Sequence, residues 1–321
     1  MNKTVLLTGG AGFIGSHVVE SYFREGYIVV IVDNLSSGYL KNIESLIDNK
    51  NIFFYNVDIR DKESLENIFK THKPSIINHH AAQKSVPYSM EDPIYDLSVN
   101  LQGLLNILSL VAYYKIDNFI YISSGGALSK KIIKDEKSKE TDFPQLKSPY
   151  AITKFSGENY IKIYSKLYDF KFTILRYGNV YGPRQVPAGE CGVIPIFINN
   201  ILEGKESILT TYEDMKRGCT RDYINVKDVA DINMIATRNP TNEVFNISTG
   251  NELYILDIYE EIKEVFHSDL GINIKGPRIG DIRRSVLDIS KVKSMLGWEP
   301  KISLKEGLKD LYDFELRRKE A

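Results

Sequence analysis

Residues 3–16 constrain this chain more than any other stretch. Lys3-Thr4-Val5-Leu6-Leu7-Thr8 reads as a buried strand, and Gly9-Gly10-Ala11-Gly12-Phe13-Ile14-Gly15 follows it without a spacer. Ser16-His17-Val18-Val19-Glu20 then continues as a helix. Gly9, Gly12 and Gly15 stand at i, i+3 and i+6, and each answers a steric demand. The first permits a tight turn, the second lets backbone approach a diphosphate, and the third lets the helix pack close on the strand. The helix N-terminus adds free N–H groups and the positive end of the dipole. A glycine triplet in isolation is an ordinary turn; between a strand and a helix it points to dinucleotide binding.

The pattern that follows fits such a site. β-Branched and apolar runs recur at Tyr27–Val32, Asn51–Val57, Ser75–Asn78, Asn118–Ile122 and Phe172–Leu175. Helix-length periodic segments lie between them near 61–72, 93–114 and 149–168. This alternation predicts an α/β fold, a Rossmann-type doubly wound parallel sheet with ligands at the C-terminal ends of its strands. Beyond residue 178 the pattern loosens. Gly178 to Gly192 reads as loop, Asp222–Val226 and Glu243–Ile247 as short strands, and 227–238, 254–267, 290–296 and 303–318 as helices. The expected division is a dinucleotide-binding domain over 1–177 and a smaller C-terminal α/β substrate lobe over 178–321. Segments near 222–250 are candidates to pack back on the first domain.

Charge and cysteine usage exclude several classes. Lys plus Arg (41) nearly balances Asp plus Glu (42), so no global field favours nucleic acid or an anionic membrane. Cys191 and Cys219 are too few for a disulfide framework or a cysteine metal site. The chain opens directly into its first strand, and no apolar run reaches the roughly 18 residues that span a bilayer. A cytoplasmic protein is expected.

Asp33 ends the second run, about twenty residues past the glycine turn, where a carboxylate accepts hydrogen bonds from ribose hydroxyls. Asn34-Leu35-Ser36-Ser37-Gly38 supplies no Lys or Arg for a 2′-phosphate, so NAD is favoured over NADP. Asp58 ends the third run; it either reads the adenine amino group or serves as a helix N-cap or turn aspartate. Ser124 follows the fifth strand, while Tyr150 and Lys154 share one helix face four residues apart. A tyrosine, with a reference pKa of about 10, works as a base near neutrality only if its phenolate is stabilised. A nearby ammonium and the positive ring of an oxidised nicotinamide both do that. The same Tyr-x-x-x-Lys spacing occurs at Tyr212/Lys216, Tyr223/Lys227 and Tyr259/Lys263; only the Tyr150 pair opens a helix after a serine-ending strand.

These motifs resemble those of the extended short-chain dehydrogenase/reductases over nearly the whole chain. Thr8 to Gly15, Asp33 to Gly38 and Tyr150-Ala151-Ile152-Thr153-Lys154 are similar to the family's cofactor and catalytic motifs. So is Arg176-Tyr177-Gly178-Asn179-Val180-Tyr181-Gly182-Pro183-Arg184, and Arg221-Asp222-Tyr223 and Arg278-Ile279-Gly280-Asp281 look like its nucleotide-sugar signatures. The subfamily it most resembles is that of the UDP-glucose (UDP-galactose) 4-epimerases. The resemblance implies that Phe13, Ile14, Asp33 through Gly38 (Asn34, Ser36 and Ser37 included), Asp58, Ile59, His80, Ala81, Ala82, Gln83, Lys84, Asn100 and Tyr177 line NAD beside Tyr150 and Lys154. It implies that Lys84, Ser124, Tyr150, Asn179, Val193, Arg221, Arg278, Asp281 and Ser285 hold the UDP-sugar. Two arginines from separate loops can clamp a diphosphate; surface ion pairing is their other reading.

Two departures carry weight. The family follows its catalytic Ser or Thr with a segment ending Val-Tyr-Gly, whereas Ser124 is followed by Gly125-Gly126-Ala127-Leu128-Ser129-Lys130 and a lysine-rich run to Lys139. Ser123 is therefore the alternative to Ser124. Gly125-Gly126 also lacks the Asp-Glu pair with which related 4,6-dehydratases eliminate water. Ser285 stands seven residues after Arg278, where an aromatic restricts the space around the sugar C2 substituent; serine leaves room for an acetamido group. His79-His80 has no carboxylate or thiol at ligand spacing, so no metal site is expected.

The expected activity is NAD-dependent 4-epimerisation of UDP-Glc/UDP-Gal, and of UDP-GlcNAc/UDP-GalNAc, through a transient 4-keto sugar. A UDP-glucuronate 4-epimerase and a non-catalytic NAD-binding regulator are the alternatives. Leu97, Leu101, Leu104, Leu105, Leu108 and Val111 give the 93–114 helix more apolar surface than one sheet face needs. With the 149–168 helix it is read as a homodimer interface, or else as a core helix.

Overall fold

The computed structural model describes residues 3–133, 136–187, 192–277 and 282–320. Six strands follow one another through the first half: β1 Thr4–Thr8, β2 Ile28–Val32, β3 Ile52–Tyr55, β4 Ile76–His79, β5 Asn118–Ser124 and β6 Lys171–Tyr177. They form one parallel sheet in the order β6-β5-β4-β1-β2-β3. Apart from the edge strand β3, the strands are largely buried on both faces, which is why they read as continuous apolar runs rather than alternating ones. The chain reverses direction of travel across the sheet between β1 and β4, and this switch point opens a crevice at the strands' C-terminal ends.

A seventh strand completes the sheet. Glu243–Ile247 pairs in parallel with β6, so this run, one of the segments near 222–250 read as candidates to pack back on the first domain, is the edge of the main sheet. The helix Val226–Arg238 likewise packs on α1, Phe13–Arg24. One apolar cluster lies under these helices and includes Val18, Tyr22, Ile232, Phe245 and Trp298. The opposite cluster joins Leu65, Phe69, Leu104, Leu108 and Ile161 from helices Lys62–His72, Pro93–Tyr114 and Pro149–Tyr168. A third, away from the sheet, gathers Phe197, Ile258, Tyr259, Ile262 and Leu308.

That third cluster depends on a helix that sequence periodicity did not mark, Val193–Leu202, and on helices Ile255–Phe266 and Leu304–Glu320. The segment 178–192, expected as loop, contains the strand Asn179–Tyr181, which pairs with Tyr223–Asn225. Ser207–Thr210 and Ile272–Lys275 form a further parallel pair. Helix Pro93–Tyr114 averages a hydropathy of 1.3 over 18 residues, with 44% of that stretch buried inside the chain. Leu104, Leu108 and Val111 account for part of that as core residues, while Leu97 is exposed.

Candidate active site

The glycine turn is shaped by contacts that no side chain could share. Gly9 sits at φ +72°, and a Cβ there would lie 2.7 Å from the Ala81 nitrogen. At Gly15 a Cβ would come within 2.1 Å of the Gly9 carbonyl oxygen, so the first turn of α1 rests directly on the turn before it. Gly12 differs: a Cβ there would meet the Gly9 oxygen at 3.1 Å and otherwise open space. It is also the N-cap of α1 and provides no side-chain acceptor, which leaves first-turn N–H groups open to an anion. This cradle fits a dinucleotide diphosphate.

The other cofactor candidates surround it. Asp33 is buried, its Oδ2 accepting the Ala11 N–H (2.9 Å) and its Oδ1 the Leu35 N–H (2.9 Å). Burial raises its carboxyl, and the backbone N–H groups oppose that rise. Gly38 is buried against Ala11, and Asn34 closes an Asx turn on the Ser36 N–H at 3.1 Å, with Ser36 and Ser37 exposed. Asp58 has the setting of a turn aspartate, its Oδ1 accepting the Arg60 N–H at 2.8 Å. Its carboxylate takes a fork from Arg60 (2.9 and 2.7 Å) and the Asn34 amide (2.8 Å), which hold it down at about 2. The N-cap of the next helix is Asp61 instead. Ile59 is buried against Gly103.

At the end of β4, the Thr8 hydroxyl meets His79 Nδ1 at 2.7 Å and accepts the Ala81 N–H at 3.2 Å. His80 lies 6.4 Å from the Tyr177 ring with its Nε2 buried, and burial lowers it to about 3, opposed by the Asn233 amide beside it. The Tyr177 hydroxyl accepts from Asn233 at 2.6 Å, within the core. Asn100 lies in a π-helical turn, Ser98–Gln102. Its amide bonds both the N–H and the C=O of Gln83 at 2.9 Å, fixing the segment that carries Ala82 and the exposed Lys84.

The two serines at the end of β5 face opposite ways, as successive strand residues must. Ser123 donates to Glu158 Oε1 at 2.6 Å and is buried. Ser124, paired in register with Tyr177, caps the short helix Gly125–Leu128 by accepting the Ala127 N–H at 3.2 Å. Tyr150 stands in the first turn of Pro149–Tyr168, its N–H bonded to Ser89 Oγ at 3.2 Å. One turn on, Lys154 is buried with its Nζ 4.5 Å over the Tyr121 ring. Desolvation lowers its ammonium to about 8, opposed by the charges of Glu158 and Asp96.

On the far side, Thr220 bridges to Arg284, which brings Arg221 and the buried Ser285 onto neighbouring segments. The Arg221 guanidinium donates to the Thr220 carbonyl at 2.8 Å, and Asn179 Nδ2 donates to the Asp222 carbonyl at 3.1 Å. Val193 begins its helix, partly buried against the third cluster. Arg278, Asp281 and Cys191 lie outside the described residues.

Four polar residues organise this region; the sequence singled out none of them, Asp222 entering only as part of the Arg221-Asp222-Tyr223 motif. Glu158 forms a buried fork with Arg176 (2.8 and 2.7 Å) beneath Ser123. Asp222 gathers the N–H groups of Thr249, Gly250 and Leu287 at 3.0 to 3.2 Å. Asn233 ties Tyr177 to Asn78, and Asp96 ties Gln83, Asn100 and Thr153 together.

Comparison with known proteins agrees with this geometry. The sequence model of the NAD dependent epimerase/dehydratase family matches residues 5–248. The UDP-glucose 4-epimerase of Thermotoga maritima, solved with UDP-glucose, superposes with a TM-score of 0.92 at 42% identity, covering 99% of this chain and 100% of that one. The UDP-glucose 4-epimerase of Thermus thermophilus, solved with NAD, gives 0.89 at 38% identity, covering 97% and 99%. A UDP-N-acetylglucosamine 4-epimerase from Methanobrevibacter ruminantium, in complex with UDP-N-acetylmuramic acid, gives 0.89 at 31% identity, covering 99% of each chain. With its parallel sheet, its glycine cradle and this match over most of its length, the chain belongs to the NAD dependent epimerase/dehydratase family, and its cofactor is NAD.

Proposed function

We propose that this protein is a UDP-hexose 4-epimerase. The observation that carries this reading is the head of helix Pro149–Tyr168. There a partly buried tyrosine stands one turn from a buried lysine, beside the ends of the strands that carry the cofactor cradle. Gly9, Gly12, Gly15, Asp33 and the 80–84 segment would hold NAD, which when bound supplies a reversible hydride acceptor. Tyr150 takes the proton from the sugar O4 and later returns it, and Lys154 stabilises the phenolate in between. Ser124 orients O4. Arg221 and Arg278 clamp the diphosphate, with Asn179, Val193, Lys84 and Asp281 around the UDP, so that the 4-keto sugar can present its other face. The cofactor half is drawn at 1–177 and the sugar half from 178 onward, with helix Val226–Arg238 and strand Glu243–Ile247 returning to the first half's sheet.

Ser285 is small and buried, which supports acceptance of UDP-GlcNAc/UDP-GalNAc alongside UDP-Glc/UDP-Gal. Ser285→Tyr is expected to remove the acetamido activity and spare the other; an unchanged ratio overturns this assignment. A second copy of the chain would cover the exposed Ile152, Ile163 and Leu167.

The test is to incubate the purified protein separately with UDP-Glc, UDP-GlcNAc and UDP-GlcA, adding no NAD and confirming that NAD is retained. Conversion of UDP-Glc supports the proposal. Conversion of UDP-GlcA alone favours the glucuronate reading, and conversion of none sinks the epimerase. Tyr150→Phe should cost at least about 100-fold in turnover; a non-catalytic regulator would keep its function with that change.

A further inference from the structure

Asp96 is completely buried, in the helix Pro93–Tyr114 and just before its π-helical turn. Its Oδ1 accepts from Gln83 Nε2 and Asn100 Nδ2, both at 2.9 Å, and its Oδ2 accepts from the Thr153 hydroxyl at 2.7 Å. The three donors come from three elements: the segment after β4, the π-helical turn, and the helix that carries Tyr150 and Lys154. All three are neutral. Burial raises the Asp96 carboxyl, while its three hydrogen bonds and a nearby positive charge oppose that rise. With only neutral donors, no bonded partner cancels the carboxylate's charge, which therefore acts on the nearest cation.

That cation is Lys154, the one positive group among the described residues that bears on Asp96. Lys154 in turn feels two carboxylates, Glu158 first and Asp96 second. Glu158 is locked in a fork with the Arg176 guanidinium, so its field at a distance is largely cancelled. Asp96 has no such fork among the described residues. The remaining titratable groups around Lys154 are Tyr121 beneath it, Tyr150 one turn before it, and His79 and His80 at the end of β4. The buried histidines are held neutral.

We propose that Asp96 is a positioning residue of the epimerase site, whose uncompensated buried charge keeps the Lys154 ammonium protonated next to Tyr150 while its hydrogen bonds fix the Gln83 and Thr153 segments around it. The inference rests on the reading of Tyr150 and Lys154 given above.

Asp96→Asn isolates the charge. The new carbonyl can still accept from Gln83 and Asn100. The Thr153 hydroxyl can accept from the new amide while donating to the Tyr150 carbonyl, 3.1 Å away. The readout is the pH profile of UDP-glucose turnover by the NAD-retaining enzyme. The alkaline limb, where Lys154 loses its proton, should move down by about one pH unit in Asp96→Asn. It should stay in place in Thr153→Val, which removes a hydrogen bond and keeps the charge. If Asp96→Asn does not fold, Asp96→Ser drops the charge in a smaller side chain and is read the same way. An alkaline limb that does not move when the charge is removed overturns the proposal, whatever happens to the maximal rate. Should the wild type not turn over UDP-glucose, NMR titration of ¹³Cε-labelled lysine, with Lys154→Arg for assignment, still reads the Lys154 ionisation. A value unaltered by loss of the Asp96 charge refutes the inference independently of the activity.

Discussion

Lys154 is nearly inaccessible to solvent, and burial lowers its ammonium from 10.5 to about 8. The folded value lies below the unfolded one, so between those two values the unfolded chain holds a proton that the folded chain has lost. Stability therefore rises with pH across that window, and at pH 7 the buried charge costs on the order of 3 kcal/mol. Contact with the Tyr121 face offsets part of it. Lys154→Met should melt a few degrees higher than wild type at pH 7, with the gap closing toward pH 10, and lose its turnover throughout. Thermal melts at the two pH values check this, and a variant that melts lower at pH 7 contradicts it. The Arg176–Glu158 fork behaves in the opposite way, because its charges satisfy each other. Arg176→Met leaves Glu158 buried beside Ser123 without the cation that is bonded to it, at a cost of about 3–5 kcal/mol measurable by urea unfolding. Neither carboxylate could be recognised in the sequence. Asp96 and Glu158 lie among polar helix positions, where a charge ordinarily marks a solvated face; only tertiary packing shows that these two point inward.

At the scale of elements, the turn before α1 divides into glycines that pack and one that faces outward. Gly15→Ala would drive a methyl into the Gly9 carbonyl and must shift backbone. Gly12→Ala meets that oxygen at 3.1 Å and otherwise enters open space, on the side proposed above for the diphosphate. Gly15→Ala should lower both the melting temperature and the bound NAD, whereas Gly12→Ala should keep the fold and lose NAD. The nucleotide content of purified protein, read from its absorbance and set beside a thermal melt, separates the two. The strands β1, β2 and β4 to β6 were legible because a doubly buried parallel strand reads as a near-continuous apolar run, and the edge strand β3 was legible from its aromatic run. The helix Val193–Leu202 was not. Its sequence, VIPIFINNIL, is apolar on most sides and holds a proline in its first turn, so neither amphipathic period nor composition marks it. Ser207–Thr210 and Ile272–Lys275 pair across more than sixty residues of chain, a partnership that no local pattern contains. Glu243–Ile247 was legible as a strand in a segment that could pack back on the first domain, but its pairing with β6 was not, since position in a sheet is a property of the partner.

At the scale of the whole molecule, two neighbouring helices turn apolar side chains away from the chain's own core. On Pro149–Tyr168, Ile152, Tyr160, Ile163 and Leu167 recur at helical spacing and are 38% to 67% exposed. On Pro93–Tyr114, Ile94 and Leu97 are exposed three residues apart. The two helices pack against each other, so their outward residues lie on adjoining surface. Large contiguous apolar patches are rare on monomers, and a two-fold partner can bury the same residues on both copies at once. In such a pair the exposed stripe becomes the centre of the interface, so charge placed there should act on assembly before it acts on the fold. Ile163→Glu combined with Leu167→Glu should convert a dimer into a 36.6 kDa species in sedimentation velocity. The melting transition should stay single and the bound NAD should remain, because neither residue belongs to the cofactor cradle. A wild-type chain that sediments as a monomer at micromolar concentration, or a double variant that stays dimeric, would place the interface elsewhere or remove it.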